Sequence, residues 1–400
     1  MSVARYRLAG REFAGDAPDL PALLAAAHEK KARPRCLCAA AGPEMYVARF
    51  GDDFLLKRMP GTGHLHDPSC PTFDPPPELS GLGQVNGKAI VSDQEGATAL
   101  KLDFPLSMRS GRAVSPADGK GSPATSATAT PNKLSLLGML HYLWDTAELT
   151  KWRPGWAGKR GWWLIHRELT AVAERTSSKA GPLSSILLVP PQFHPDRKEA
   201  LARERGRFLH HLQPAKGKPV PLGLLVAELK TQEPSQYGRR LRFKHLPEMA
   251  FFMDEDLGRR FDKLTAAKAM MVEATDGAHM IAIATFSMRG NYAEIREIAV
   301  MPVTADWIPF DDDREIALVE ALARRSFVKC LRYNLRPDAH VASALLTDTS
   351  PPTALYVPSH DLAPEAEAEL REITGEGAFP PWIWPPAEFE MPKLPVAGRS

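Results

Sequence analysis

Three of the four cysteines, Cys36, Cys38 and Cys70, fall in one short stretch, and His64 and His66 stand between the second and the third. Thiolate sulfur and imidazole nitrogen are ligands that zinc prefers, and it takes four in a tetrahedron. Close spacing lets a single turn supply two ligands, as Cys36-x-Cys38 and His66-x3-Cys70 would. The expected set is Cys36, Cys38 and Cys70 with His66, favoured because Pro68 stiffens the path to Cys70, or with His64 as the competing fourth ligand. Four protein ligands leave no open position, so zinc bound this way is structural rather than catalytic. The plainer alternative is a set of buried reduced thiols beside a surface histidine pair. Clustering of three cysteines in one loop-rich unit favours metal over that alternative. Three thiolates and a neutral imidazole leave a net negative charge on the site, which Lys57 and Arg58 could offset.

The two ligand pairs need a device that brings them together. Residues 45–50 and 54–59 read as strands joined by Gly51, Asp52 and Asp53, and such a hairpin returns the chain to its start. Gly61 and Gly63 permit the close backbone approach that the second pair requires. A short helix over 19–31, with Pro21 in its first turn, precedes the unit, and a strand around 88–92 follows it. From 109 to 132, Ser, Thr, Ala, Gly and Pro dominate and Val114 is the one large apolar residue, so this stretch reads as a disordered linker.

The expected organisation is an N-terminal module over 1–108, the linker over 109–132, a helical block over 133–220, an α+β body over 221–360, and an acidic helix with a proline-rich tail over 361–400. Leu134, Leu137, Met139, Leu140, Leu143 and Trp144 recur at helical spacing, and a second helix is expected over 162–175. The pair resembles a helix-turn-helix, with a longer connection than the compact DNA-binding form. In the body, strands are expected over 223–230 and 239–246, a helix over 255–271 and a hairpin over 279–303. A helix led by Asp311, Asp312 and Asp313 should follow, and then three short strands. The tail carries too many prolines for regular structure.

Elsewhere, cations interleave with indoles from Lys151 to Trp163. Trp144, Trp162 and Trp163 are expected in the core, which leaves Lys151, Arg153, Lys159 and Arg160 as candidate nucleic-acid contacts. Arg239, Arg240, Arg242, Lys244 and His245 form a second basic stretch on an expected strand, and Cys330 reads as a buried small residue. With 50 Lys+Arg against 48 Asp+Glu, the chain is no polycation, and any nucleic-acid surface must be a local patch. The sequence contains no Walker loop, GxSxG or HExxH, so hydrolase, kinase and common metalloprotease readings find no motif. No apolar run reaches the ~18 residues a membrane helix needs, and the first residues lack an apolar export core, so a cytoplasmic protein is expected.

The segments RCLC, MYVARF, LLKRMPGTGHLHDPSC, LLGMLHYLWDTAELTKW, GKRGWW, LLVAELK, RFKHLP, IATFS, MPVTADWIPF and LRYNLRP together resemble the bacterial family called domain of unknown function 1173. The resemblance spans nearly the whole chain and implies carriage on plasmids and integrative elements and three N-terminal cysteines, matched here by Cys36, Cys38 and Cys70. It implies no established activity. A fainter likeness is to mobile-element nucleases that join a zinc-ribbon head to a restriction-endonuclease-like core, where an Asp and a Glu-x-Lys hold a divalent ion. Asp196 with Glu228 and Lys230 supplies the letters, although a helix and a loop intervene; near Asp348 the acid and lysine are replaced by Ala354, Leu355, Tyr356 and Val357. Glu228 and Lys230 equally read as an exposed strand face, and Asp348 as a turn residue.

The expected fold is therefore α+β: a small zinc-ribbon-like N-terminal module, a helical middle block, and a mixed β-sheet body of degenerate restriction-endonuclease-like type. The expected function is that of a zinc-binding protein of plasmids or mobile elements, acting as a non-catalytic nucleic-acid-associated factor with DNA as its partner. The alternatives are a divergent metal-dependent nuclease and a protein-interaction scaffold that uses the tail.

Overall fold

Apolar runs in HMIAIATFSMR and YAEIREIAVMPV make two long strands, His279–Arg289 and Tyr292–Val303, that pair antiparallel through a tight turn at Gly290. Within the ring, the strand Gly223–Ser235 serves two neighbours. Its first half pairs antiparallel with His279–Arg289, and its second half, past an irregularity between Leu229 and Thr231, pairs with Gly238–Phe243. Gly238–Phe243 pairs in turn with Phe251–Asp254, which runs parallel to Tyr292–Val303. Five strands thereby close into a ring, with the short strand Leu187–Leu188 added alongside Gly223–Ser235. Leu241, Phe243, Phe251, Phe286 and Ile295 fill its interior. Phe251 meets Phe243 and Phe286 edge to face, with ring centroids 5.1 and 5.6 Å apart.

The computed structural model describes residues 4–398 apart from 51–52, 94–95, 109–130, 237, 337–338, 361, 363 and 376. The expected linker over 109–132 lies almost wholly outside the described residues, as does most of the turn Gly51, Asp52 and Asp53. Eight α-helices lie among the described residues: α1 (Leu20–Glu29), α2 (Leu82–Val85), α3 (Leu136–Thr146), α4 (Trp162–Glu174), α5 (Lys198–His210), α6 (Glu255–Ala274), α7 (Asp313–Ala321) and α8 (Pro364–Gly375). The protein is thus a mixed α+β structure with several sheets.

At the N-terminus, Arg5–Leu8 pairs with Arg11–Ala14 on one side and Arg35–Cys36 on the other. The hairpin Met45–Phe50 with Asp53–Arg58 forms where its alternation predicts, and α1 packs on it through Leu24, Ala27 and Val47. In α3 the Ser135 hydroxyl caps the helix by accepting the Gly138 N–H at 3.0 Å. The Asn334 carboxamide oxygen accepts both the N–H and the hydroxyl of Ser135 at 3.0 Å, tying this helix start to a distant loop. Almost every side of α3 is buried, against α4 and the long strands of the ring. Between α3 and α4 lie the strand Lys151–Trp152 and the 3-10 turn Pro154–Trp156.

Strand Lys151–Trp152 is an edge of a five-stranded sheet otherwise built near the other end of the chain: Phe327–Lys329, Ala344–Leu346, Thr353–Tyr356 and Pro381–Ile383. The last strand corrects the expectation of an irregular tail. Pro381 opens the strand and the strand lies at the sheet edge, where a missing N–H costs no ladder bond. Trp382 and Trp384 are buried behind it, and the Arg314 guanidinium sits over Trp384 at 4.3 Å while donating to the carbonyls of Pro358, Trp384 and Pro385.

Buried clusters draw on distant stretches. Cys36, Met45, Cys70 and Phe73 pack with Cys330, Leu345, Tyr356 and Leu370. Cys330 follows its strand directly and is buried, as expected. Trp144 and Trp162 are core residues, donating to the carbonyls of Trp307 and Pro190 at 3.2 and 2.7 Å. Trp163 is not: it is 51% exposed, with Arg167 over its ring at 5.2 Å. Trp162 faces inward at the start of α4, so the helical turn carries its neighbour outward.

Candidate metal centre

Cys36 ends a strand whose pairing with Tyr6 fixes it, and its N–H donates to the Pro43 carbonyl at 2.9 Å. Cys38 lies in the loop that follows. The hairpin then returns the chain to the 3-10 turn Gly63–Leu65, which ends at His66. Cys70 closes the next turn, its N–H donating to the Asp67 carbonyl at 2.8 Å, and the Asp67 N–H points at the Cys38 sulfur at 3.4 Å. Gly63 is required here: a Cβ would lie 2.5 Å from the Cβ of Asp74. Gly61, at φ +72°, supplies the left-handed bend before it.

These elements bring together Cys36, Cys38, His66 and Cys70, whose ligand atoms all lie within 4.8 Å of one another. Cys36 Sγ is 3.7 Å from Cys70 Sγ, and His66 Nδ1 is 3.3 Å from Cys38 Sγ and 3.8 Å from Cys70 Sγ. Zinc–sulfur bonds of about 2.3 Å at tetrahedral angles would set two sulfurs about 3.8 Å apart, so this spacing fits one ion. Cys36, Cys70 and His66 are buried and Cys38 is half-buried. His64 is exposed on the other side of the short turn, outside the group. His66 Nε2 is buried with no protein partner, so only the Nδ1 edge of the ring is engaged.

Of the three sulfurs Cys70 is the one favoured as thiolate, while burial raises Cys38. A hydrogen bond from Cys36 holds the Cys70 thiol far below its usual range against the effect of burial, with His66 and Thr72 contributing. That same bond, with burial, pushes Cys36 up. The Thr72 hydroxyl lies 3.1 Å from Cys70 Sγ and 2.9 Å from His66 Nδ1. The cluster could therefore hold a metal ion, with every protein donor already in place.

The charges around it differ from expectation. Lys57 pairs with Glu168 at 3.1 Å and Arg58 pairs with Asp74 and Glu148, so neither faces the sulfurs. The cation beside the cluster is Arg153, which donates to the Ser69 carbonyl at 3.3 Å. Burial lowers the Arg153 guanidinium and the charge of Cys70 works to raise it, which places the two in electrostatic contact.

Two of the other candidate nucleic-acid contacts are likewise internal. Lys151 is buried, in ionic contact with Asp74 at 3.1 Å and Glu148 at 3.4 Å, and it donates to the Pro71 carbonyl at 3.1 Å. Arg160 donates to the carbonyls of Leu149, Lys151 and Asp306 and lies over the rings of Trp152 and Trp156. Lys159 alone is exposed. Buried charges of this kind are partnered because leaving water without a partner is costly. The loop is a structural joint rather than a solvated basic strip.

Sequence reasoning missed the acids of that joint. Asp74, Asp145 and Glu148 line a cleft with Arg58, Tyr46 and Tyr333. Burial and the neighbouring Asp74 lift the Asp145 carboxyl to about 6. Burial alone would raise Glu148 as well, but Lys151, Lys57 and Arg58 outweigh it and hold that carboxyl well below its usual range. No local pattern marks these residues, since their partners lie far along the chain. Glu228, expected on an exposed strand face, is buried because it shares the face of Leu224 and Val226, which packs into the cluster holding Trp307 and the residues of α3 and α4; it contacts His279 at 2.7 Å and Lys244 at 2.5 Å.

Among the described residues no helix is long and apolar enough to cross a membrane. Fold and site together define a mixed α+β protein with a Cys3His cluster near its N-terminus. A family described as Protein of unknown function (DUF1173) matches residues 6–387, and the chain belongs to it. No curated protein and no solved structure gives a significant match.

Proposed function

We propose that this chain is a non-catalytic, nucleic-acid-associated factor of plasmids or other mobile elements whose N-terminal segment is held by one structural zinc ion. The observation that carries the metal part is the convergence of four donor atoms within 4.8 Å, three of the four residues being buried. Cysteine-rich sets of this kind suit zinc, and four protein donors leave no position for substrate. The basic strand around Arg240 and Arg242 supports the nucleic-acid part, and the mobile-element setting rests on the family likeness.

A nuclease draws less support. Glu228 is tied to His279 and Lys244, while Asp196 lies in the turn Pro195–Arg197 ahead of α5. A scaffold with a free tail also draws less, because Arg325 binds the Pro395 carbonyl at 2.8 Å and Trp382 the Lys393 carbonyl at 3.1 Å.

The test is metal content per chain, read with nucleic-acid affinity at two salt concentrations. About one zinc per chain is expected. Cys38→Ser, Cys70→Ser and His66→Ala should lower it sharply, and Cys330→Ser and His64→Ala should leave it unchanged. Full zinc in a Cys36, Cys38 and Cys70 triple variant would sink the metal reading; no salt-sensitive affinity for any nucleic acid would sink the other half.

A further inference from the structure

The closed ring has a distinctive connectivity. Its first strand, Gly223–Ser235, pairs with both the second and the fourth; its third, Phe251–Asp254, is parallel to the fifth; and α6 joins the third to the fourth. This is the strand order of the five-stranded Greek-key barrel of the OB type, which takes oligonucleotides across strands two and three and the loops between strands one and two and strands four and five.

That face has a composition to match. Leu241, Phe243, Phe251 and Met253 point into the barrel, so strand alternation turns Arg240, Arg242 and Phe252 outward. Arg240 lies directly opposite Phe252 across the strand pair. Phe252 meets Tyr292, the first residue of strand five beside the turn from strand four, edge to face at 5.4 Å, and Tyr292 is 46% exposed. Arg289 pairs with Tyr292 across that turn, and Arg296 shares the outward parity of its strand.

Two glutamates pair with these arginines. Glu233 contacts Arg242 at 3.3 Å, and Glu294 contacts Arg289 at 2.9 Å and Arg296 at 2.6 Å. Asp254, which caps α6, shares the outward parity of Phe252, so four arginines meet three carboxylates and the face keeps a small positive excess; the exposed Arg242–Glu233 pair is weak enough to exchange for phosphate. Arg240 Nε is shielded from solvent and has no acceptor. Arg239, which alternates inward, is taken by Asp262 of α6 at 2.8 Å and is not part of the face.

We infer that this barrel binds single-stranded nucleic acid, with bases stacked on Phe252 and Tyr292 and phosphates held by Arg240, Arg242, Arg289 and Arg296. The inference deepens the nucleic-acid reading above and rests on it. Single strands are favoured over duplex because the rings offer flat surfaces to unpaired bases, while the arginines follow a backbone without reading base edges.

The test measures anisotropy of a labelled oligothymidylate about 20 nucleotides long, longer than the roughly 4–16 nucleotides one such barrel covers, with full-length protein and against the matching duplex. Tyr292→Ala, at an exposed site, should weaken single-strand binding about tenfold. Arg240→Ala with Arg242→Ala should reduce the slope of log affinity against log salt by about 1.4, from roughly 0.7 for each phosphate that an arginine neutralises. Arg203→Ala with Arg259→Ala, exposed arginines on helices, should change neither. Unchanged affinity and slope in the face variants, with the wild type still binding, would overturn the face and leave the broader reading standing. Preference for the duplex would overturn the single-strand assignment, and no binding by the wild type would overturn both.

Discussion

Lys151 Nζ stands 3.1 Å from Asp74 Oδ1 and 3.1 Å from the Pro71 carbonyl, so one buried lysine joins the loop of Cys70 to the edge strand of a sheet formed mainly by residues 327–383. Asp74 also binds Arg58, and Glu148 binds both cations. The joint is a network, and its members depend on one another.

Removing Lys151 should therefore unfold rather than merely weaken a surface. Lys151→Ala leaves Asp74 and Glu148 under-compensated in a buried setting and should cost about 3–5 kcal/mol in denaturant unfolding. Lys159→Ala, at an exposed position of the same loop, should stay within about 0.5 kcal/mol. Equal and small effects would show that the joint carries no stability.

Chelation should act locally. An ion held by Cys36, Cys38, His66 and Cys70 would tie residues 36–70 together, so stripping it should raise amide exchange across residues 35–73 and leave the closed ring of residues 223–303 protected. Exchange rising equally in both regions would indicate a global role for the ion instead.

His141 sets a pH dependence. It is buried, and its Nδ1 accepts the Tyr333 N–H at 2.9 Å, so the folded state holds it neutral. Burial lowers it to about 4 from an ordinary 6.5. Below the ordinary value the unfolded chain gains a proton that the folded chain refuses. Stability present near pH 7 should thus decline between pH 6.5 and 4, by up to about 3 kcal/mol from this group. In His141→Asn, which keeps an acceptor, the decline should be shallower by that amount; parallel pH profiles would refute the assignment.

The tail should contribute to stability. Trp384→Ala empties a buried ring site beneath Arg314 and should cost about 3–5 kcal/mol. A variant as stable as the parent would mean that the tail is dispensable.

The Cys3His cluster was legible in the sequence because its members come in close pairs around a hairpin whose alternation is plain. Pro68 favoured His66 over His64 without excluding the latter, and the 3-10 turn Gly63–Leu65 decides it by burying the His66 ring within the group and exposing His64. Long helices and the hairpin of residues 279–303 were readable from periodicity. Closure of the ring was not, because Gly223–Ser235 changes neighbour midway and nothing local announces it. Glu228 shows the same limit: alternation turns it to the outer face of the ring, and only the helices packed on that face, from a distant stretch of chain, bury it. Lys151 and Arg160 looked solvated for the same reason, their acceptors being distant in sequence.

The packing of Cys36, Met45, Cys70 and Phe73 against Cys330, Leu345, Tyr356 and Leu370 also has a temporal side. During synthesis the four donors emerge together, whereas the apolar surface that covers them arrives hundreds of residues later, at roughly 5–20 residues per second. Through that interval an early cation would fasten the nascent segment while its greasy flank waits uncovered. The ion would then serve as a temporary clasp for a half-made chain, before it serves the finished one.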